Sequence, residues 1–183
     1  MITLETPRLR LRPWQESDRE PFRQMNADAR VMEYFAAPLS FAETDDMIER
    51  IQAHMARHGF GFFAVVELRA PAEFVGMIGI SHVSFEAHFT PCVEIGWRIA
   101  ATHWNQGFAT EGARECLRYA FGELALPEVV AFTVPENLRS RRVMEKLGMT
   151  RNSADDFDHP RLPEGHPRRR HVLYRTRLLQ SQP

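Results

Sequence analysis

Apolar and basic residues alternate in "RLRLRPW" near the N-terminus, the period-two pattern of a strand with one buried face. Ser17 followed by Glu20 then predicts a capping box, opening a first helix that runs through Phe22 and Met25. Ser40 and Glu43 repeat the device, and Met47, Ile48, Ile51 and Met55 fall on one helical face that closes near Gly59. The β-rich runs "FGFFAVVEL" and "FVGMIGISHVSF" predict a hairpin turning at Ala70 and Pro71. "CVEIGWRIA" predicts a further strand, in which Gly96 signals a bulge or a close backbone approach. After Gly107, residues Ala109, Ala113, Cys116, Leu117 and Ala120 mark the buried face of a helix. "EVVAFTV" reads as a strand, "NLRSRRVMEKLG" as a short helix capped by Asn137 and stopped at Gly148, and "HVLYRTRL" as a final strand. The order is β-α-α-β-β-β-α-β-α-(β)-β, a mixed α/β fold, expected to form one domain over residues 1–183.

Composition adds exclusions rather than a function. A net charge of −1 supplies no global attraction to nucleic acid or anionic membrane. No run approaches the ~18 apolar residues of a membrane helix, and the N-terminus has no apolar signal core. With two cysteines and no disulfide framework, the chain reads as cytoplasmic, a monomer or homodimer. Cys116 falls on a buried helical face, and Cys92 has no His or Asn nearby in sequence to make it a nucleophile. His159, His166 and His171 are irregularly spaced and separated by prolines, so no metal site is expected.

The stretch "HWNQGFATEG", His103 to Gly112, stands where a strand hands over to a helix. A helix N-terminus leaves backbone N–H groups unpaired at the positive end of the macrodipole. Gly107 and the small Ala109 would let a phosphate or pyrophosphate approach them closely. No Lys-Ser/Thr follows, which argues against a P-loop.

"WNQGFATEG" resembles the acetyl-CoA pyrophosphate loop of the GNAT N-acetyltransferases, Q/R-x-x-G-x-G/A, with Gly107 and Ala109 on its last two fixed places and Trp104 replacing the usual Gln or Arg. "ENLRSRRVMEKLGM" resembles the family's second signature, and "ETPRLRLRPWQESD" is similar to the start of the RimJ/RimL-like branch. The resemblance covers about Leu4 to Tyr174. It implies a mixed, mostly antiparallel central sheet flanked by helices and splayed between the fourth and fifth strands. It also implies acetyl-CoA as co-substrate, bound by backbone groups of Trp97, Arg98 and Ile99 and by the loop Gln106, Gly107, Phe108, Ala109 and Thr110. Asn137 resembles the asparagine that contacts the cofactor's arm, with Ser140 one turn further on the same face; a plain N-cap is the other reading of Asn137.

The reaction so implied is direct attack of a primary amine on the thioester. A backbone N–H near Ile99 would serve the oxyanion. Glu94, the only carboxylate of the central strand, is read either as base or substrate-orienting group or as an ion-pair partner of Arg98 on the same face. Met144 stands where many family members carry an acid tyrosine, leaving Ser140 or a water as substitutes. An α-amine, with pKa ~8, is about 10% neutral at pH 7 against roughly 0.04% for a lysine, a difference of about 3 kcal/mol. That favours a protein N-terminus over a lysine, while a small-molecule amine stays level with it. The alternative is a non-catalytic acyl-CoA-binding sensor. The segment Asp155 to His171 is expected to be a mobile insertion or a wall of the acceptor site. Arg139, Arg141, Arg142 and Lys146 read as a solvated face or a contact to the 3′-phosphate of coenzyme A.

Overall fold

The computed structural model describes residues 2–69 and 72–177. Nine strands are β1 (Leu4–Glu5), β2 (Leu9–Arg12), β3 (Phe62–Glu67), β4 (Phe74–His82), β5 (Val93–Ile99), β6 (Glu128–Thr133), β7 (Thr150–Arg151), β8 (Phe157–Asp158) and β9 (Arg170–Arg177). Four helices are α1 (Arg19–Ala27), α2 (Phe41–His58), α3 (Phe108–Gly122) and α4 (Leu138–Lys146). The sheet runs β1-β2-β3-β4-β5-β6-β9-β7, with β8 also on β9. Every pairing is antiparallel except β5–β6, whose parallel sense requires the crossover that α3 supplies. No described helix is long and apolar enough to cross a membrane.

Local chemistry explains the elements. In β2, Leu9 and Leu11 are fully buried while Arg10 faces out, as the alternation predicts. Ser40 caps α2 by accepting the Glu43 N–H at 3.2 Å, while Glu43 accepts the Ser40 N–H at 2.8 Å. Gly59, at φ +79°, ends the helix in the left-handed conformation that favours glycine. Residues Ala113, Cys116, Leu117 and Ala120 of α3 pack into the main core beside Ile78 and Leu11.

Two local expectations are corrected. Ser17 caps nothing: residues Glu16–Asp18 form a 3₁₀ turn, and α1 begins at Arg19. Asp18 takes over because its buried carboxylate accepts the Gln15 N–H and a two-pronged Arg12 pair at 2.6 and 2.8 Å. Gly96 makes no bulge, since the β4–β5 register is continuous; a Cβ there would stand 3.1 Å from the Phe62 ring. The register shift falls instead between Val65 and Val66 of β3, opposite Gly76 at φ +151°. The turn at Ala70 and Pro71 lies outside the described residues.

The splay positions the site. β4 and β5 pair along the whole of β5, but β5 and β6 share only the Glu94–Val130 register and then part. β6 stays with β9, and a second cluster of Phe89, Val130, Phe157 and Leu173 packs on one face of that pair, while Val129, Ala131, Val172 and Tyr174 on the other face join the main core.

Candidate active site

The parting of β5 from β6 opens a cleft of about 1000 Å³. Which β5 groups face it follows from strand alternation. The Ala100 N–H bonds Val75 C=O and the Cys92 C=O accepts from Val83, so even-numbered peptide groups are spent on β4. The peptide groups of Trp97 and Ile99 therefore point into the gap. Arg98, expected to contribute backbone contacts beside them, is corrected: its peptide faces β4, opposite Met77. The Ile99 carbonyl already accepts Trp104 Nε1–H at 2.8 Å, which leaves its N–H as the open group.

The loop from Trp104 to Gly107 turns the chain into α3 through two left-handed residues, Asn105 (φ +59°) and Gly107 (φ +84°). The Glu111 N–H bonds Gly107 C=O, so the amides of Phe108, Ala109 and Thr110 form the first turn with no carbonyl inside the helix to take them. Ala109 and Thr110 line the cleft, whereas the Phe108 side chain is buried and supplies only its backbone. Gln106 folds its amide back onto Thr102 C=O at 3.2 Å.

A brace that the sequence reading missed holds this loop. Arg8 donates to Gln106 C=O at 2.9 Å and to Glu111 at 2.7 Å, and lies 4.7 Å over the Phe108 ring. Thr6 adds a 2.6 Å bond to the same Glu111 carboxylate. The "TPRL" that marks the N-terminal resemblance is thus wired to the helix start a hundred residues away. Nothing in local spacing signals it, since its partners lie 98 to 105 residues apart.

On the opposite wall, Asn137 caps α4: its Oδ1 accepts the Ser140 N–H at 3.1 Å, and its Nδ2 donates to Thr133 at 3.1 Å. Ser140, Met144, Arg142 and Lys146 line the cleft. Met144 is buried and apolar, so no acid side chain occupies that position. Arg139 bridges the two walls, 2.5 Å from Glu33 and 4.3 Å over the Trp104 ring. Tyr34, also in the cleft and not picked out by sequence, has its phenol pushed above the ordinary range by burial and by the neighbouring Glu33.

The long charged segment packs along the cleft. Residues 159–169 are closed by a His159 N–H to Arg169 C=O bond of 2.8 Å, and Arg161 anchors them to Ser84 C=O at 2.9 Å. His159, Arg161, Leu162 and Arg168 face the cleft. The His159 and His171 rings lie 5.1 Å apart, tilted by 48°; burial holds His159 neutral, its pKa lowered to about 4. His166 does not join them at the cleft.

Glu94 is the only carboxylate among the described residues lining the cleft. Burial pushes its pKa up to about 7, and Arg161 pulls weakly the other way. The ion pair with Arg98 does not form. Four residues of extended strand separate the two Cα atoms by about 13 Å, and the Arg98 side chain turns under α1 and α2. There Nη1 donates to Asn26 Oδ1 at 2.6 Å, and the guanidinium lies 4.2 Å over the Phe35 ring. Neither cysteine is poised to attack: burial raises the Cys92 thiol to about 11 and Cys116 further.

Residues 8–150 match the family described as Acetyltransferase (GNAT) domain. A curated relative from Aspergillus fumigatus, FsC-acetyl coenzyme A-N(2)-transacetylase, is 36% identical over 159 residues, 81% of this chain and 65% of the relative. The chain thus spans just under two thirds of that relative's length. Among solved structures, an acetyltransferase from Agrobacterium tumefaciens aligns at a TM-score of 0.79 with 28% identity, covering 97% of this chain and 95% of that one. RimL, a ribosomal alpha-N-protein acetyltransferase in complex with coenzyme A, aligns at 0.77 with 14% identity, covering 97% and 98%. The chain belongs to the GNAT acetyltransferase family, and its sheet is the mixed, mostly antiparallel GNAT sheet.

Proposed function

We propose that the protein transfers the acetyl group of acetyl-CoA to a primary amine by direct attack in a ternary complex, as a single cytoplasmic domain. The observation that carries this is the facing pair of open backbone sites: the Trp97 and Ile99 groups on β5, and the first-turn amides of α3. The first suits the pantetheine amides, by strand-like addition to a free edge. The second suits the pyrophosphate. Arg142 and Lys146, on the opposite α4 wall, suit the remaining phosphate by their charge.

Chemistry then needs little more than orientation, which alone removes much of the barrier. The amine lone pair attacks the thioester carbonyl and the N–C bond forms. The developing oxyanion takes the Ile99 N–H. Collapse breaks the C–S bond and releases the thiolate of coenzyme A. The amine's surplus proton goes to Glu94, directly or through a water, and a carboxylate with a pKa of about 7 suits that transfer at neutral pH. With Met144 in place of an acid, the thiolate takes its proton from water or from the Ser140 hydroxyl.

The relative's name and that of RimL put one acceptor nitrogen on a named compound and the other on a protein terminus, so both acceptor classes stay within this reading. Assignment to the RimJ/RimL-like branch rests on the sequence motifs and on the shared fold. The deciding experiment follows thiol release from acetyl-CoA against a panel of N-terminal peptides and small amines. Turnover with any amine supports the transferase. Tight cofactor binding without turnover returns the sensor reading.

A further inference from the structure

The cleft's charge is lopsided. Arg142 and Lys146 lie on the α4 wall, beside the helix starts that suit the phosphates. Three more guanidinium groups line the space with no ion pair among the described residues: Arg98 beside Asn26 of α1, Arg168 near Tyr34 of the α1–α2 connection, and Arg161, tied to Ser84 on the side of Glu94. Arg98 is the telling one. It is 8% exposed, its partners are the Asn26 amide oxygen, the Met47 sulfur and the Phe35 ring, none of them charged, and its Nε has no partner among the described residues. A buried cation without a counter-charge is costly, and folded proteins ordinarily pair it. Here the nearest vacant volume is the acceptor end of the cleft. We propose that Arg98, assisted by Arg168 and Arg161, forms an anion-binding subsite. The acceptor amine would then carry a carboxylate or comparable anionic group on the same molecule.

This rests on the transferase reading, since it names the class of acceptor. A polycationic amine would meet three like charges; an amino acid or an acidic N-terminal peptide would supply the missing partner.

The test measures binding of matched pairs to the protein saturated with coenzyme A, by calorimetry. The pairs are γ-aminobutyrate and butylamine, phenylalanine and phenethylamine, and the peptides Ser-Glu-Ala and Ser-Lys-Ala. The anionic member of at least one pair should bind about tenfold tighter or more, the scale of one charge-assisted pair. Arg98→Met should erase that preference; should the variant not fold, Arg168→Ala, at a half-buried loop position, should reduce it. Equal binding within every pair, no binding by any anionic member, or an undiminished preference in the variants overturns the proposal. Thiol release from acetyl-CoA in parallel separates the two readings. Preference without release sinks the transferase and leaves the subsite; release without preference does the reverse.

A second site stands on different residues. His54 and His58 lie one turn apart at the end of α2, and His82 ends β4 beside them. One ring nitrogen of each lies within 4.8 Å of the others, and His54 Nε2 is 3.4 Å from His82 Nδ1. Two nitrogens bound tetrahedrally to one zinc ion at about 2.0–2.1 Å stand at about that separation. His54 Nδ1 meets Phe60 C=O at 3.0 Å, the outer contact that fixes a ligating imidazole; its Nε2 accepts the His82 N–H at 3.3 Å, a long bond that a bound ion would displace. The geometry points to a three-histidine site for a divalent ion that favours imidazole, zinc, cobalt, nickel or copper, clipping α2 to β4 away from the cleft. Only half of it was legible: His54 and His58 share the i, i+4 spacing, but His82 lies 28 residues on. Tag-free protein should take up Co²⁺ with the intense visible bands of tetrahedral coordination, and Zn²⁺ should raise its melting temperature. His58→Gln and His82→Gln, both at exposed positions, should each weaken uptake about tenfold or more. Absence of the bands, or equal uptake by the variants, overturns the site.

Discussion

Glu94 carries two consequences in opposite directions. Its carboxyl is protonated more readily in the folded chain, with a pKa of about 7 against an ordinary 4.5. Between those values the folded state holds a proton that the unfolded state has released, so stability falls as pH rises through the window and levels off above it. The cost is at most about 3 kcal/mol, and less where water reaches the cleft. Glu94→Gln removes the ionisation. Denaturant unfolding at pH 5 and pH 8 should show the variant more stable than wild type at pH 8, with a flatter profile between. Activity should go the other way: about 10²-fold lower at neutral pH, climbing toward the acceptor's own pKa. A variant with near-normal turnover and an unchanged pH profile would remove the base from the mechanism and leave orientation and the Ile99 N–H to do the work.

At the scale of elements, α3 and the 159–169 loop hold opposite ends of the cleft. Ala109→Glu puts a negative side chain in the first turn of α3, where it complements the macrodipole of the unliganded helix. The melting temperature should therefore hold or rise. Acetyl-CoA affinity should fall more than about tenfold, or 1.4 kcal/mol, because the same charge meets the pyrophosphate. Calorimetry with unchanged affinity would remove the cofactor from this helix start. For the loop, the excision must spare Phe157, which is buried in the second cluster. Replacing residues 160–168 by a short turn between His159 and Arg169 should raise the acceptor KM and leave the acetyl-CoA KM in place.

These elements differ in how far the sequence disclosed them. The α2 cap, the α3 face and the Asn137 cap were legible because each depends on residues within a turn or two of one another. The two-residue strand β1 was not, and β7 and β8 stand where only one optional strand was read, since no periodicity survives over so short a run. Ser17 failed as a cap because a tertiary contact, Arg12 with Asp18, outbid a local pattern. The same limit explains the site. Glu94 and the glycine loop stand out in the chain, whereas the Arg8 brace and the isolation of Arg98 depend on partners 72 or more residues away.

For the molecule as a whole, the single Glu94–Val130 contact between β5 and β6 means that its sheet is two sheets sharing one rung. Side chains still cross the seam, since Val129, Ala131, Val172 and Tyr174 share the main core with β1–β5, but beyond the rung the backbone ladder of β5 stands open among the described residues. A ligand lying along that ladder becomes, for as long as it stays, a structural strand. Amide exchange should register this as a pulse: the Trp97 and Ile99 protons exchanging freely in the empty protein, slowing when acetyl-CoA is bound, and quickening again as coenzyme A departs. On that account each catalytic cycle closes with a small unzipping, and the rate at which the spent cofactor peels away sets an upper bound on turnover.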